Sequence, residues 1–358
     1  MRKKLVGMLT TATLLTMALA GNVQAAEIRS VGPDGEAAVD ASTIELTDDQ
    51  IAQIKEGGYT AAICLHYGGN DWSTSQQKGL EDTFGELGIE IVAVTDANFS
   101  AETQVSNIET VMAKKPDILV SIPTDATATA DAYKQAAAAG IKIDFMDQRA
   151  NGLEAGKDYV SVVSADNYGN GYASGTVLGD ALGGKGKVAM VYYDANFAPT
   201  NQRDEGFRDA MKNYPDIEIV TEQGFTDESG CAEQGDAILT QFPNIDGIYA
   251  SWDVPMEGVL SAVRAAGMEG KVTLACNDLG NNVAREIASG NIAGGGAQMP
   301  YDQGVAEAKL AALALLGEET PSYVAVPAET VTHENVLEAY TDVYHVETPD
   351  WLKEAYVD

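Results

Sequence analysis

Short apolar segments alternate with helical patterns along most of the chain, and this alternation constrains the fold more than any other feature. One such segment, residues 59–65, lies between two glycine pairs, and similar segments recur as far as residue 299. Short apolar runs of this kind are typical of buried parallel strands. About ten of them fall into two runs separated by amphipathic helical patterns. We therefore predict an α/β fold with two doubly wound lobes.

The N-terminus has the pattern of a secretory signal peptide. Arg2, Lys3 and Lys4 precede a mostly apolar stretch, and a small-x-small motif ends at Ala25. We expect cleavage after Ala25, with residues 26–58 forming a flexible leader and a short helix. A membrane anchor is the alternative, but the stretch contains threonines and is shorter than the roughly 20 apolar residues of a span. Because no cysteine lies near the cleavage site, we expect a periplasmic protein without a lipid anchor.

The net charge limits which partners the protein can have, and the length limits the number of domains. The 358 residues include 54 acidic and 22 basic side chains, which give a formal net charge of −32 at pH 7. A surface this acidic repels nucleic acid and anionic lipid. We therefore expect no nucleic-acid partner. The chain is also too long for one small core, and its length suits two domains.

The cysteines and glycine-rich stretches do not indicate a metal or a cofactor. Cys64 and Cys276 lie in apolar strand patterns, which favours buried free thiols. With Cys231 the count is odd, so one disulfide plus a free thiol is the alternative. Cysteine–histidine spacings typical of zinc sites do not occur. Residues 169–175 nearly match GxGxxG, but the last glycine comes one residue late. We predict a protein with no metal and no cofactor.

Polar and aromatic side chains follow several of the predicted strands. The loop after residues 59–65 carries His66, Asn70 and Trp72. In open α/β sheets, ligands bind outside the carboxyl ends of the strands. We therefore expect this loop to contact a small molecule.

Two carboxylates and an arginine complete this set. Asp147 and Asp278 each follow an apolar strand segment, and Arg203 lies near the start of a predicted helix. Carboxylates accept hydrogen bonds from hydroxyl groups, arginine donates several in a fixed geometry, and aromatic rings cover apolar C–H faces. These three side chains are therefore further candidates to contact a small molecule. Helix capping, from the loops that follow the strands, is the alternative role for the two carboxylates.

Seven short segments occur in a defined order. They are NDW at 70–72, IPTD at 122–125, DQR at 147–149, SADNYG at 164–169, RDEGF at 203–207, ND at 277–278 and QMPYDQG at 298–304. Their order and spacing together, rather than any one motif, make the chain resemble a type I solute-binding protein of ABC importers, in the ribose-binding cluster. The resemblance extends over residues 59–346.

This resemblance implies two Rossmann-like lobes joined by a three-crossing hinge, with the ligand between them. The N-terminal lobe would comprise residues 59–163 plus 299–327, and the C-terminal lobe residues 164–298 plus 328–346. Residues 347–358 would form a tail outside both. The implied protein is a monomer that closes on its ligand and delivers it to the transmembrane subunits of an ABC permease.

The resemblance also implies a set of ligand-binding residues. Six residues match positions that contact sugar in the family: Asn70, Trp72, Asp147, Arg203, Asp278 and Gln298. Ribose binders usually have a second aromatic residue, an amide, an arginine, an asparagine and an aromatic residue where this chain has Ser73, Ile122, Gln148, Trp252 and Asn277, respectively. These departures argue against ribose itself, whereas a sugar or sugar alcohol remains expected.

Further candidates come from the same strand-end loops. Ser73, Gln148, Trp252 and Asn277 are retained as ligand-binding candidates despite the departures, together with His66 and Asp253. Helix capping is an equal alternative for Asp253, and core packing is the alternative for Trp252. Arg149 is a candidate to replace the arginine that is missing at position 148.

Three classes of function fit these observations. The first is a binding protein that delivers a small solute to an ABC permease. The second is a receptor that presents its closed form to a membrane chemosensor or sensor kinase, and the sequence does not separate it from the first. The third is an exported carbohydrate-active enzyme with Asp147 and Asp278 as its carboxylate pair. The sequence lacks a nucleophile elbow and a metal-ligand cluster, which argues against an enzyme.

Overall fold

The computed structural model describes residues 28–357, which form two α/β lobes; the predicted signal peptide lies outside the described residues. The strands are β1 (Val39–Asp40), β2 (Thr60–Leu65), β3 (Glu90–Asp96), β4 (Ile118–Ser121), β5 (Lys142–Met146), β6 (Val162–Ala165), β7 (Lys185–Tyr193), β8 (Asp216–Phe225), β9 (Gly247–Ala250), β10 (Thr273–Cys276), β11 (Gly294–Ala297), β12 (Tyr323–Val326) and β13 (Glu329–Thr332). The helices are α1 (Asp48–Gly57), α2 (Asp71–Leu87), α3 (Ala101–Lys114), α4 (Ala130–Ala138), α5 (Asn167–Ala181), α6 (Ala198–Met211), α7 (Cys231–Gln241), α8 (Asp253–Ala265), α9 (Asn281–Ala288), α10 (Pro300–Leu315), α11 (Val336–Tyr344) and α12 (Asp350–Ala355).

Each lobe is built around one sheet. The first sheet has the strand order β1-β12-β6-β5-β4-β2-β3, with all neighbours parallel. The second has the order β13-β11-β10-β9-β7-β8, in which only β13 is antiparallel to its neighbour. The central strands are buried along their length, because helices cover both faces of a parallel sheet. The predicted α/β fold with two doubly wound lobes is confirmed.

The chain passes between the two sheets three times. The passages follow β6, β11 and β12. β6 and β12 are neighbours in the first sheet, and β11 and β13 are neighbours in the second. All three connections therefore meet the first sheet at the adjacent strands β6 and β12, and two of them meet the second sheet at the adjacent strands β11 and β13.

Helices α1 and α3 begin at side chains that cap them. Thr47 accepts a hydrogen bond from the backbone of Gln50 at the start of α1, and the Gln50 side chain returns the interaction. Ser100 caps α3 in the same way through the backbone of Thr103. None of the helices between residues 28 and 357 is long and apolar enough to cross a membrane.

Residues 28–46 contact both lobes rather than forming the flexible leader predicted for this segment. The backbone amides of Arg29 and Ser30 donate to the carboxylate of Asp166 at 3.0 and 2.8 Å, close to the first passage between the sheets. β1 pairs with β12 at the edge of the first sheet. These contacts join residues that are far apart in sequence, and they leave no periodic pattern that sequence analysis could detect.

The C-terminal segment, predicted to be a tail outside both lobes, also packs into a lobe. Leu352 of α12 is fully buried in the apolar core of the second lobe. The ring of Trp351 meets that of Tyr340 edge-on, with centroids 5.6 Å apart. The segment is short, so its amphipathic pattern alone is too weak to predict this docking.

All three cysteines are buried and free. Burial raises the pKa of the Cys231 thiol to about 12 and that of Cys64 to about 11. The structure therefore agrees with the free thiols rather than with the alternative of one disulfide.

Helices α5 and α6 approach each other through glycines on both sides of their interface. A Cβ atom at Gly171 would lie 1.8 Å from the backbone oxygen of Arg203, and one at Gly206 would lie 2.1 Å from that of Tyr168. Only glycine permits such close backbone contact. This packing holds the first turns of α6, and with them Arg203, against the second lobe.

Candidate functional site

The carboxyl ends of the two sheets face each other across a cavity between the lobes. The cavity has a volume of about 480 Å³, which includes space open to solvent. It is lined by His66, Tyr67, Asn70, Trp72, Phe99, Ile122, Asp147, Tyr193, Phe197, Pro199, Thr200, Arg203, Trp252, Asp278 and Gln298.

The first lobe contributes Asp147, which directly follows β5. Its Oδ1 atom accepts hydrogen bonds from Ser164 Oγ at 2.8 Å and from Gln303 Nε2 at 3.2 Å. Burial raises the pKa of this carboxyl, and the hydrogen bonds and the nearby Arg203 oppose that rise. One carboxylate oxygen is thus held by the protein, which orients the other.

The second lobe contributes Arg203, Asp278 and Gln298. Arg203 donates through Nε to Asn167 at 2.8 Å and through Nη1 to Asp278 at 3.2 Å. Gln298 Nε2 donates to the other oxygen of Asp278 at 2.7 Å. The Arg203–Asp278 pair is almost fully shielded from solvent, with side-chain exposures of 6% and 8%. A buried pair of this kind is sensitive to the loss of either partner.

Both cleft aspartates have an uncommon backbone conformation. Asp147 has φ 55° and Asp278 has φ 69°, in the left-handed region that non-glycine residues rarely adopt. Residues in this region concentrate at functional sites, where the surrounding structure maintains them. The left-handed backbone conformation at both strand ends thus turns a carboxylate towards the cleft.

Aromatic rings cover the other part of the cavity. His66 stacks on Phe197 across the cleft, with ring centroids 5.5 Å apart. It also meets Phe99 and Trp72 edge-on, at 5.2 and 5.9 Å. Burial lowers the pKa of His66 to about 3, so the ring is neutral at physiological pH.

The lobes also touch at the mouth of the cavity. Tyr67 of the first lobe donates to Glu228 of the second at 3.3 Å, and Trp252 Nε1 donates to the same carboxylate at 2.9 Å. Asp71 accepts hydrogen bonds from the backbone and side chain of Asn281 at 2.7 and 2.8 Å. These contacts across the cleft describe a closed arrangement of the lobes.

The structure places eight of the twelve candidate residues at the cavity. They are His66, Asn70, Trp72, Asp147, Arg203, Trp252, Asp278 and Gln298. The other four do not line it. They are Ser73, Gln148, Asn277 and Asp253.

Two of these four make hydrogen bonds outside the cavity. Ser73 lies in the first turn of α2, where its backbone amide donates to Asn70 Oδ1 at 2.8 Å. Gln148 donates to the backbone oxygen of Pro123 at 2.8 Å and accepts from the amide of Ala198 at 3.2 Å, so it joins the lobes. Arg149 likewise points away from the cavity and pairs with Asp34, so it does not replace an arginine at position 148.

The remaining two candidates are buried behind the cavity wall. Asn277 donates to Tyr249 Oη at 2.8 Å and to the backbone oxygen of Ser251 at 3.0 Å. Asp253 accepts from the amide of Val254 at 2.8 Å in the first turn of α8. Burial, and secondarily the charge of Asp278, raise the pKa of Asp253 well above its usual value. Asp253 does not cap α8, because the N-cap position is Trp252 and this helix start has no side-chain capping bond.

Sequence reasoning missed several cavity residues, most of them aromatic or near the start of α6. They are Tyr67, Phe99, Tyr193, Phe197, Pro199 and Thr200, and Ile122 was noted only as a departure. Tyr193 is the last residue of β7, and Phe197 occupies the N-cap position of the helix that follows, α6. The signal available was an aromatic residue at a strand end, which core packing explains equally well.

Asp204, next to Arg203 on α6, should make stability depend on pH. It accepts a hydrogen bond from Ser251 at 2.7 Å, and burial raises its pKa to about 7 from the model-peptide value of 3.8. Between these pH values the unfolded chain loses the proton and the folded protein keeps it, so the free energy of unfolding falls as pH rises. Asp204→Asn should remove up to about 4 kcal/mol of this decrease.

The comparison requires urea unfolding of the wild type and Asp204→Asn at several pH values between 4 and 8. The stability of the variant relative to the wild type should rise steadily across that range and level off above pH 7. Other buried acids contribute equally to both proteins and cancel in the difference. A difference that stays constant with pH would show that Asp204 is ionised in the folded protein throughout.

Comparisons with known proteins agree with this architecture. The sequence profile of the family described as "Periplasmic binding protein domain" matches residues 61–319, well over half of the chain. The D-ribose/D-allose-binding protein of Pseudomonas aeruginosa is 29% identical over 273 residues, which cover 73% of this chain and 83% of that protein.

Two solved structures have the same fold over nearly their whole length. A periplasmic solute-binding protein from Actinobacillus succinogenes with bound D-allose has a TM-score of 0.71 and 29% identity, covering 78% of this chain and 99% of the other. A solute-binding protein from Agrobacterium vitis with bound α-D-tagatopyranose has a TM-score of 0.74 and 26% identity, covering 82% and 100%. With two parallel-rich lobes and a profile match across both, the chain belongs to the periplasmic binding protein family, among its ribose-binding-protein-like members.

Proposed function

We propose that this protein binds a sugar or sugar alcohol between its lobes and delivers it to the permease of an ABC importer. The similar proteins named above are sugar-binding proteins, two of them with sugars bound in solved structures. The observation that carries the proposal is the group formed by Asp147, Arg203, Asp278 and Gln298 at one end of the closed cavity. Carboxylate, guanidinium and amide groups together can donate to and accept from adjacent hydroxyls.

Closure of the lobes is the second part of the proposal. We assign residues 59–163 plus 299–327 to one lobe and residues 164–298 plus 328–346 to the other. A ligand that bridges Asp147 of the first lobe and Arg203 of the second favours the closed form, because it binds that form better than the open one. The mature protein, cleaved after Ala25 and without a lipid anchor, would work in the periplasm as a monomer.

A thermal-shift screen of the mature protein tests this function. The panel contains pentoses, hexoses, deoxy sugars and sugar alcohols with four to six carbons. A ligand at about 100 times its dissociation constant adds roughly 2.7 kcal/mol to stability and should raise the midpoint by several degrees. We expect one stereoisomer, or a few related ones, to act. Silence across the whole panel would contradict the proposed function.

Asp147→Asn should separate ligand binding from folding. The substitution keeps the shape and an acceptor oxygen for Ser164 and Gln303, but it removes the charged acceptor from the cavity. We expect affinity for the identified sugar to fall about 10- to 100-fold, since hydrogen bonds to charged groups contribute about 1.5 to 3 kcal/mol. Stability should stay equal or rise, because burial raises the pKa of this carboxyl. Titration calorimetry and thermal unfolding of the same samples check both; unchanged affinity would place Asp147 outside the ligand site.

The two alternative functions give different results. A carbohydrate-active enzyme would convert the bound sugar or a glycoside of it, which mass spectrometry of long incubations would detect. A receptor that presents its closed form to a chemosensor or sensor kinase would bind the same sugar. Deleting its gene would impair the cell's response to that sugar, while uptake of the sugar continued. We expect an intact ligand and impaired uptake.

A further inference from the structure

The cavity has two chemically different ends. At the carboxyl edge of the first sheet, the strand order β5-β4-β2-β3 places Asp147, Ile122, His66 and Phe99 in succession. At the edge of the second, the order β11-β10-β9-β7 places Gln298, Asp278, Trp252 and Tyr193 in succession. Both edges change from charged or amide side chains to apolar and aromatic ones. Since Arg203 pairs with Asp278 and lines the same cavity as Asp147, the polar halves of the edges lie together.

The polar end has hydrogen-bonding atoms left over for a ligand. Among residues 28–357, the hydrogen bonds of Arg203 use Nε and Nη1, and those of Asp147 use Oδ1. Nη2 of Arg203 and Oδ2 of Asp147 are therefore available. Gln298 Oε1 is buried without a hydrogen-bond partner among the same residues. These three atoms can serve two or three neighbouring hydroxyl groups.

The aromatic end has largely satisfied its own polar atoms. Tyr67 Oη and Trp252 Nε1 both donate to Glu228, and Asn70 Nδ2 donates to Tyr67 Oη at 2.6 Å. The buried ring nitrogens without a partner in the described part of the chain are His66 Nδ1 and Trp72 Nε1. An indole nitrogen can only donate. It can therefore donate to a ligand oxygen, either a hydroxyl oxygen or the ring oxygen of a cyclic sugar.

Ile122 lies between the two ends and presents an aliphatic surface. It follows β4, has 1% exposure, and belongs to the same apolar cluster as Phe197 of the opposite lobe. Gln148, which could have offered an amide nearby, is turned towards the backbone of Pro123 and Ala198. A ligand hydroxyl placed against Ile122 would find no partner there, and burying it without one is unfavourable.

We propose that the ligand is a deoxy sugar, whose hydroxyls contact the polar end while a methyl or methylene group packs against Ile122 and Phe197. This inference rests on the proposed function and narrows its substrate class. An apolar pocket favours a methyl group over a hydroxymethyl or hydroxyl group by about 10- to 100-fold. Ile122 is thus a specificity-determining residue.

The test uses matched pairs of sugars that differ by one hydroxyl. D-fucose is compared with D-galactose, L-rhamnose with L-mannose, 6-deoxy-D-glucose with D-glucose, and 2-deoxy- and 5-deoxy-D-ribose with D-ribose. Titration calorimetry on the mature protein gives both affinities in each pair. We expect at least one deoxy sugar to bind about tenfold or more tightly than its parent.

Two variants with side chains of nearly the same shape link this preference to Ile122. Ile122→Val keeps the wall apolar and should retain the preference, whereas Ile122→Thr adds a hydroxyl and should reduce it several-fold or reverse it. Thermal unfolding of both variants confirms that they are folded. Because valine and threonine leave the same space, lost packing alone would affect both alike.

Each outcome distinguishes the inference from the proposed function. A parent sugar that binds as tightly as its deoxy partner, or more tightly, in every pair that binds at all would overturn the deoxy-sugar inference and leave the proposed function intact. Equal preferences in Ile122→Val and Ile122→Thr would remove Ile122 as the determinant. Failure of every sugar, deoxy or not, would reject the proposed function and the inference with it.

Discussion

Replacing Arg203 with methionine should lower sugar affinity by at least about 100-fold. The guanidinium joins Asn167 and Asp278 within the second lobe, and among residues 28–357 its Nη2 has no hydrogen-bond partner. Methionine fills similar space but donates nothing, so Asp278 retains an unpaired buried charge. Removing one partner of a buried ion pair typically costs about 3 to 5 kcal/mol, part of which should appear as lost stability.

Arg208→Met is the matched control for this experiment. Arg208 lies on the same helix and pairs with Glu222, but both side chains of that pair are 37% exposed. Exposed pairs contribute about 0 to 1 kcal/mol, so this variant should bind sugar as the wild type does. Arg203→Lys keeps the charge without the planar fork and should fall between the two. If Arg203→Met, folded as judged by circular dichroism, bound sugar normally, the proposed site would be misplaced.

Gly171→Ala should strongly lower stability. The added Cβ atom would lie 1.8 Å from the backbone oxygen of Arg203, so α5 and α6 would have to separate. Overpacking usually costs about 1 to 3 kcal/mol, and a clash with backbone belongs at or above the upper end because backbone atoms cannot change rotamer. Moving α6 also displaces Arg203, so sugar affinity should fall although Gly171 does not line the cavity.

Gly85→Ala is the control for the glycine substitution itself. Gly85 lies inside α2, and a Cβ atom there would meet nothing within 4 Å. Alanine at an exposed helix position should raise stability by about 0.5 to 1 kcal/mol. Urea unfolding of both variants gives the comparison. If Gly171→Ala were as stable as the wild type, the close packing of α5 on α6 would not be the feature that positions Arg203.

The charged part of the candidate site was predictable from the sequence. Asp147 and Asp278 follow apolar strand segments, and parallel strands present their carboxyl ends along one edge of a sheet. That rule alone places both carboxylates at cleft edges, and the resemblance to sugar-binding proteins adds Arg203 and Gln298. Whether these residues contact the ligand remains a prediction, which the Asp147 and Arg203 variants test.

Side chains whose direction depends on a neighbour were not predictable in the same way. Asn277 follows β10 directly and was a ligand candidate, yet it turns inward because Tyr249 and Ser251 offer it partners. Gln148 and Arg149 likewise find partners in Pro123 and Asp34 rather than in the cavity. Adjacent positions at a strand end can point either way, and only their surroundings select one.

What the sequence by itself determined is the local and periodic part of the protein: the parallel strands, the helices between them and the edge where the ligand is expected. These follow from the spacing of apolar residues, which acts over a few positions. The tertiary structure alone decided which residues far apart in sequence meet. His66 stacks on Phe197 across the cleft, and the backbone of residues 29–30 bonds to Asp166. Such contacts depend on the position of one lobe relative to the other, which the local sequence pattern does not specify.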